Sequence, residues 1–192
     1  MTIPTIRPSG DEVRRCVARY DELERVTEGL PDQKLPECRR AFMSVLGFKQ
    51  PLKAGEYSPF GDKVRPKIQH LKAGCGMAYV KAEPGRGVFM HTHDTHETFV
   101  VIDGTWKLEW EGDQGDDHLI LKPLDVICFP PRMQRRFECV APAPGSTEGT
   151  LLGIIEGDQP VAEMSPETER RLIEAGALTP ERSAHFAGTA AA

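Results

Sequence analysis

"GRGVFMHTHDTHETFVVIDG" occupies residues 85–104. Three of the chain's six histidines, His91, His93 and His96, fall inside it, and Glu97 follows at once. Successive side chains on an extended strand alternate between faces. Phe89, His91 and His93 therefore share one face, and Thr92 points to the other. Beyond a turn near Asp94 and Thr95, the run ETFVVI puts Glu97, Phe99 and Val101 on one face. Where that face is the interior, two imidazoles and a carboxylate converge among apolar residues. Burying them unpaired is expensive. A divalent metal removes that cost, and two His with one carboxylate leave coordination positions open, as a catalytic metal requires. The plainer alternative is a half-exposed strand edge whose histidines make ordinary hydrogen bonds. The short spacing to Glu97 and the bracketing glycines favour the metal. His96, one residue before Glu97, is expected to face away.

From about Pro66 to Gly157 the chain is a series of short runs divided by Gly, Pro and Asp. GMAYVKA, VFMHTH, ETFVVI, TWKLEW, HLILK, DVICF, RRFECV and LLGIIE read as strands, and KIQHLK as a further one. So many short strands predict an all-β barrel or sandwich. IDGT and EGDQGDD read as tight hairpin connections. The acidic turn Asp113–Asp117 lacks the order of a calcium loop and reads as solvated. Trp106, Leu108 and Trp110 alternate as packing residues, and Cys128 reads as a small core residue.

Helices are expected outside this region. Residues 9–29 carry a capping-box pair, Ser9 and Glu12, and apolar positions at Val13, Cys16, Val17, Tyr20 and Leu23. The outward-facing Thr98, Val100 and Ile102 offer this stripe a surface, in the same subunit or a dimer mate. A shorter helix is expected from Pro36 to Leu46, stopped by Gly47. SPETERRLIEAG predicts a C-terminal helix with Ser165 as N-cap, Pro166 in the first turn and Gly176 as stop. TPERSAHF reads as one more turn, before a frayed GTAAA end. The expected organisation is an N-terminal helical extension over 1–65, a β-barrel over 66–157 and a C-terminal helical tail over 158–192.

The 192 residues suit a single core with extensions. A net charge of −5 argues against a nucleic-acid partner, which calls for a basic face. No apolar run approaches the ~20 residues of a membrane span, and MTIPTIRPSGDEVRR is not a secretory leader. Five scattered cysteines without CxxC spacing suit reduced thiols. A cytoplasmic protein is expected.

Gly85, His91, His93, Glu97 and Gly104 reproduce the first motif of the cupin superfamily, G(X)5HXH(X)3E(X)6G. The chain resembles a small RmlC-like cupin of the conserved-barrel type. The resemblance covers about Pro66 to Gly157. It implies a double-stranded β-helix, the jelly-roll barrel, with a divalent ion (Fe, Mn, Ni or Zn) on His91, His93 and Glu97, and a homodimer. The second motif, G(X)5PXG(X)2H(X)3N, aligns with LDVICFPPRMQRRFEC. Pro130 matches. Leu124 and Arg132 replace its glycines, Cys139 replaces its Asn, and Arg135 stands where the last metal-binding His is expected. The four-ligand site therefore does not carry over. Gln134 is an alternative ligand if the register slips by one, but Arg135, Phe137 and Cys139 share the apolar face.

A guanidinium cannot ligate a metal. Inside a barrel it needs a partner, either Glu97 or an anionic ligand, and the anion is favoured because it leaves the first motif a purpose. The resemblance thus implies a metal-dependent enzyme acting on a small organic acid: an oxygenase, lyase or isomerase, with Arg135 binding substrate. The alternative is a non-catalytic, small-molecule-binding cupin, a sensor or storage module, with or without a metal.

Overall fold

The structure is a computed structural model and describes residues 3–47, 65–157 and 162–179. Its strands are β1 (Ala41–Leu46), β2 (Cys75–Ala82), β3 (His91–His93), β4 (Glu97–Asp103), β5 (Thr105–Gly112), β6 (Gly115–Leu121), β7 (Val126–Phe129), β8 (Arg135–Ala141), β9 (Gly149–Glu156) and β10 (Ala162–Met164). They form two five-stranded antiparallel sheets, β1-β2-β9-β4-β7 and β10-β3-β8-β5-β6. This is the expected jelly-roll, all-β architecture. Its helices are minor: α1 (Gly10–Arg14) and α2 (Pro166–Glu174). Among the described residues no helix is long and apolar enough to cross a membrane.

Alternation builds the core. Inward residues of both sheets, including Val80, Phe99, Val101, Trp106, Leu108, Phe137 and Leu151, form one buried cluster. Phe137 meets Phe99 and Trp106 edge-on, at ring separations of 5.3 and 5.9 Å. Trp106 also donates its indole N–H to the Asp103 carbonyl, so no polar atom of this core residue is stranded. The packing role read for the Trp106–Trp110 alternation is what the fold uses.

Several expectations are corrected. The helix over 9–29 shrinks to α1 and a 3-10 turn at Tyr20–Glu22. The Ser9–Glu12 capping box forms, yet α1 buries nothing and Val13, Val17 and Tyr20 stay exposed. An amphipathic stripe without a partner surface does not sustain a helix. Downstream, Val26 is drawn instead into a bridge with Phe42. The helix expected from Pro36 to Leu46 is a 3-10 turn, Pro36–Cys38, followed by β1. There Phe42 and Val45 suit a half-buried sheet, and pairing with β2 overrides local propensity. KIQHLK contributes only a bridge at Ile68.

IDGT is not a hairpin. β4 and β5 lie in different sheets, and Gly104, with φ +77°, carries the chain across. A Cβ there would lie 2.7 Å from the Ala141 carbonyl oxygen, so the position needs glycine. Cys128 is exposed, because Ile127 and Phe129 take the inward parity of edge strand β7. α2 forms as expected, with the Ser165 hydroxyl accepting from the Thr168 N–H and Gly176 at φ +65°. The further turn at TPERSAHF and the GTAAA end lie, except for Thr179, outside the described residues.

Candidate metal centre

The site sits where the two sheets face each other. His91 and His93 come from β3, and Arg135 pairs directly with His91 across the β3–β8 ladder. Glu97 opens β4 in the opposing sheet, between Phe129 of β7 and Ile155 of β9. Strand parity delivers all four inward. Along β4, Glu97, Phe99 and Val101 are buried, and along β8 Arg135, Phe137 and Cys139 are.

One donor atom from each of His91, His93 and Glu97 lies within 4.8 Å of the others. His93 Nε2 is 3.7 Å from Glu97 Oε1, and His91 Nε2 is 3.9 Å from Oε2. Bonds of about 2.1 Å in tetrahedral geometry put donors ~3.4 Å apart, so these three residues fit a divalent ion after a small contraction. His91 is already set for that task. Its Nδ1 lies 2.9 Å from the Phe89 carbonyl oxygen, which only accepts. Nδ1 therefore carries the proton and Nε2 keeps its lone pair toward Glu97.

Arg135 is fully buried. Its Nε–H donates to Glu97 Oε2 at 3.0 Å and its Nη1–H to the Met133 carbonyl at 3.0 Å. Nη2 also stands 3.0 Å from Oε2, yet it lacks hydrogen-bond geometry and has no hydrogen-bond partner among the described residues. Glu97 is therefore one partner of this arginine.

The glycine positions of that motif keep glycine's conformation without glycine. Leu124 has φ +76° and Arg132 φ +67°, each costing on the order of 1 kcal/mol for an L side chain. The turns are held from the first motif: Leu124 N–H donates to the Val101 carbonyl and Arg132 N–H to the His93 carbonyl, both at 2.8 Å. Tertiary contacts thus impose the turn on residues that do not favour it.

Gln134 and His96 do not join the group. Gln134 is half-buried on the opposite parity from Arg135. His96 faces out and pairs with Glu156 at 2.8 Å. Sequence reasoning missed the two carbonyls that orient the site, Phe89 and Met133. Backbone acceptors leave no residue-type signal.

Burial first, then the neighbouring His93, pushes His91 down to about 3. Burial works against the Glu97 charge, but the pull of His93, Arg135 and His91 keeps its carboxyl below the ordinary range. Both shifts act in one direction. The unfolded chain takes up protons that the native site refuses, so stability falls as pH drops. With metal chelated, unfolding free energy should decline from about pH 6.5 downward, and His91→Gln should remove the upper part of that decline. A profile that is flat down to about pH 4 would contradict this electrostatic account.

The family model described as the cupin domain matches residues 78–147. No curated protein matches the chain. Among solved structures, it is similar to an RmlC-like cupin from Shewanella frigidimarina, at 14% identity over 73% of this chain and 88% of that one, with a TM-score of 0.46. It is similar to Fe(II)-HppE with the alternative substrate (S)-1-HPP, at 13% identity over 72% and 58%, with a TM-score of 0.47. It is also similar to oxalate oxidase in complex with the substrate analogue glycolate, at 17% identity over 60% and 64%, with a TM-score of 0.43. The chain spans less than two thirds of the length of the last two. The spacing of the first motif, the two-sheet barrel and the family model converge on one identification: residues 78–147 lie in a domain of the cupin superfamily.

Proposed function

We propose that His91, His93 and Glu97 hold a divalent metal ion inside the barrel and that the chain is a metal-dependent enzyme acting on a small organic acid. The observation that carries this reading is the convergence of three donor atoms within 4.8 Å, with the His91 tautomer fixed for ligation. The ion would supply Lewis-acid or redox chemistry at its open positions. Glu97 would turn Oε1 toward it, while Oε2 stays on Arg135, as ligating carboxylates are commonly hydrogen-bonded from behind. The Nη2–H of Arg135, without a hydrogen-bond partner among the described residues, is the donor left for the acid's carboxylate. Iron, manganese, nickel and zinc all suit this donor set, and an oxygenase is the reaction class we favour. We place the protein in the cytoplasm, as a homodimer.

His93→Ala should lower bound metal strongly, because three ligands leave little redundancy. His96→Ala should leave metal content unchanged, since its imidazole lies outside. Elemental analysis of both purified variants checks this. Equal loss in the two would mean that the ligands are wrongly assigned.

A second reading rests on the guanidinium 3.0 Å from Glu97. In it, Arg135 takes the place of the metal, and the barrel is a non-catalytic, small-molecule-binding module. Turnover of small carboxylic acids by the metal-loaded protein supports the first reading. Tight ligand retention without product, whichever metal is supplied, supports the second.

A further inference from the structure

The strand that carries both histidines is poorly anchored within the barrel. β3 has three residues and meets β8 at a single register position, His91 opposite Arg135. Its full ladder is instead with β10: Ala162 opposite His93, Glu163 opposite Thr92 and Met164 opposite His91. The chain then turns directly into α2, and the start of α2 grips the residue before His91. The Met90 carbonyl accepts from the Ser165 N–H at 3.1 Å and from the Thr168 hydroxyl at 3.0 Å. The Ser165 hydroxyl in turn donates to Thr168 Oγ1 at 2.9 Å, which fixes the direction of the Thr168 proton.

The same helix holds Phe89, whose carbonyl sets the His91 tautomer. Leu172, fully buried, packs in one cluster with Phe89 and Cys38. Arg171 lies 4.3 Å over the Phe89 ring and pairs with Glu37 at 2.9 Å. Two consecutive carbonyls, Phe89 and Met90, are thus placed by side chains of a helix outside both sheets.

We infer that the β10–α2 segment is the positioning element of the site, with Thr168 as the positioning residue for His91. The inference rests on the proposed role of His91 as a ligand. Thr168 touches no reacting atom. It fixes the backbone from which the His91 ring is aimed, and Arg171 reinforces this through Phe89. A helix far along the chain therefore controls the donor geometry of the motif.

The test uses the full chain with Thr168→Val, Thr168→Ser and Arg171→Met. Cobalt(II) affinity is followed by absorption titration, and the imidazole tautomers of the metal-free protein by nitrogen-15 NMR. Thr168→Val should weaken cobalt binding about tenfold, the low end of the loss that follows when a partner behind the ligands is removed. It should also move His91 from a single Nδ1–H tautomer to a mixture while leaving His93 unchanged. Thr168→Ser, which keeps the hydroxyl, should restore both. Arg171→Met, at a half-exposed position, should act in the same direction by about threefold, and it stands in if Thr168→Val does not fold. Parent-like affinity and an unchanged His91 tautomer in the folded variants would overturn the inference, whatever their melting temperatures. If the parent itself binds no cobalt, the metal reading has failed, and the tautomer comparison alone decides the positioning role.

Discussion

Glu97→Ala lowers the unfolding free energy of the metal-free protein by about 3–5 kcal/mol, the usual cost of removing one member of a buried pair. Among the described residues the carboxylate is the only acceptor that meets the Nε edge of Arg135, and Arg135 is fully buried. Without it the guanidinium is left charged, dry and half-satisfied. The loss is specific to an orphaned charge, so the double variant Glu97→Leu/Arg135→Met should recover most of it. Chemical denaturation of the three proteins with chelator present measures the effect. A loss below about 1 kcal/mol for Glu97→Ala would place the pair among weakly coupled, solvated ions and contradict its burial.

Arg135→Met raises divalent-metal affinity about tenfold or more and abolishes carboxylate binding. The guanidinium stands 3.0 Å from Glu97 Oε2, so it repels any cation on that carboxylate across a few ångströms of low-dielectric interior. Methionine is similar in length and fills the space without charge. Metal content should remain near one per chain while the dissociation constant falls. If the parent protein proves metal-free and only Arg135→Met takes up metal, the ion pair has replaced the metal, and the second reading of the barrel holds.

Much of this was legible before the structure because strand parity is a strict period of two. Parity alone put His91, His93, Glu97 and Arg135 on the inward side and sent His96 and Gln134 elsewhere. It failed for Cys128, where VICF is uniformly apolar and gives no clue to which residues face in. The N-terminal region was misread for a different reason. Val13, Val17 and Tyr20 have helical spacing, but spacing describes a helix only where the stripe is buried, and all three stay exposed. β1 was hidden by an apolar run bounded by Pro36 and Gly47, which suits a short helix equally well. β10, three residues long, is too short to carry a period, and yet it supplies most of the anchorage of β3. The motif spacing thus reveals the inward cluster of His91, His93 and Glu97, while the pairings that anchor β3 are distant in sequence.

The central claim is that His91, His93 and Glu97 bind a metal ion within the barrel. Crystals of the parent protein grown with manganese, iron(II), nickel or zinc, with diffraction recorded on both sides of the absorption edge, test it directly. The account predicts one anomalous peak per chain, bounded by His91 Nε2, His93 Nε2 and a Glu97 oxygen, with Arg135 still on the far side of that carboxylate. No peak at that position with any of the four metals, and Glu97 fully engaged by Arg135, would contradict it.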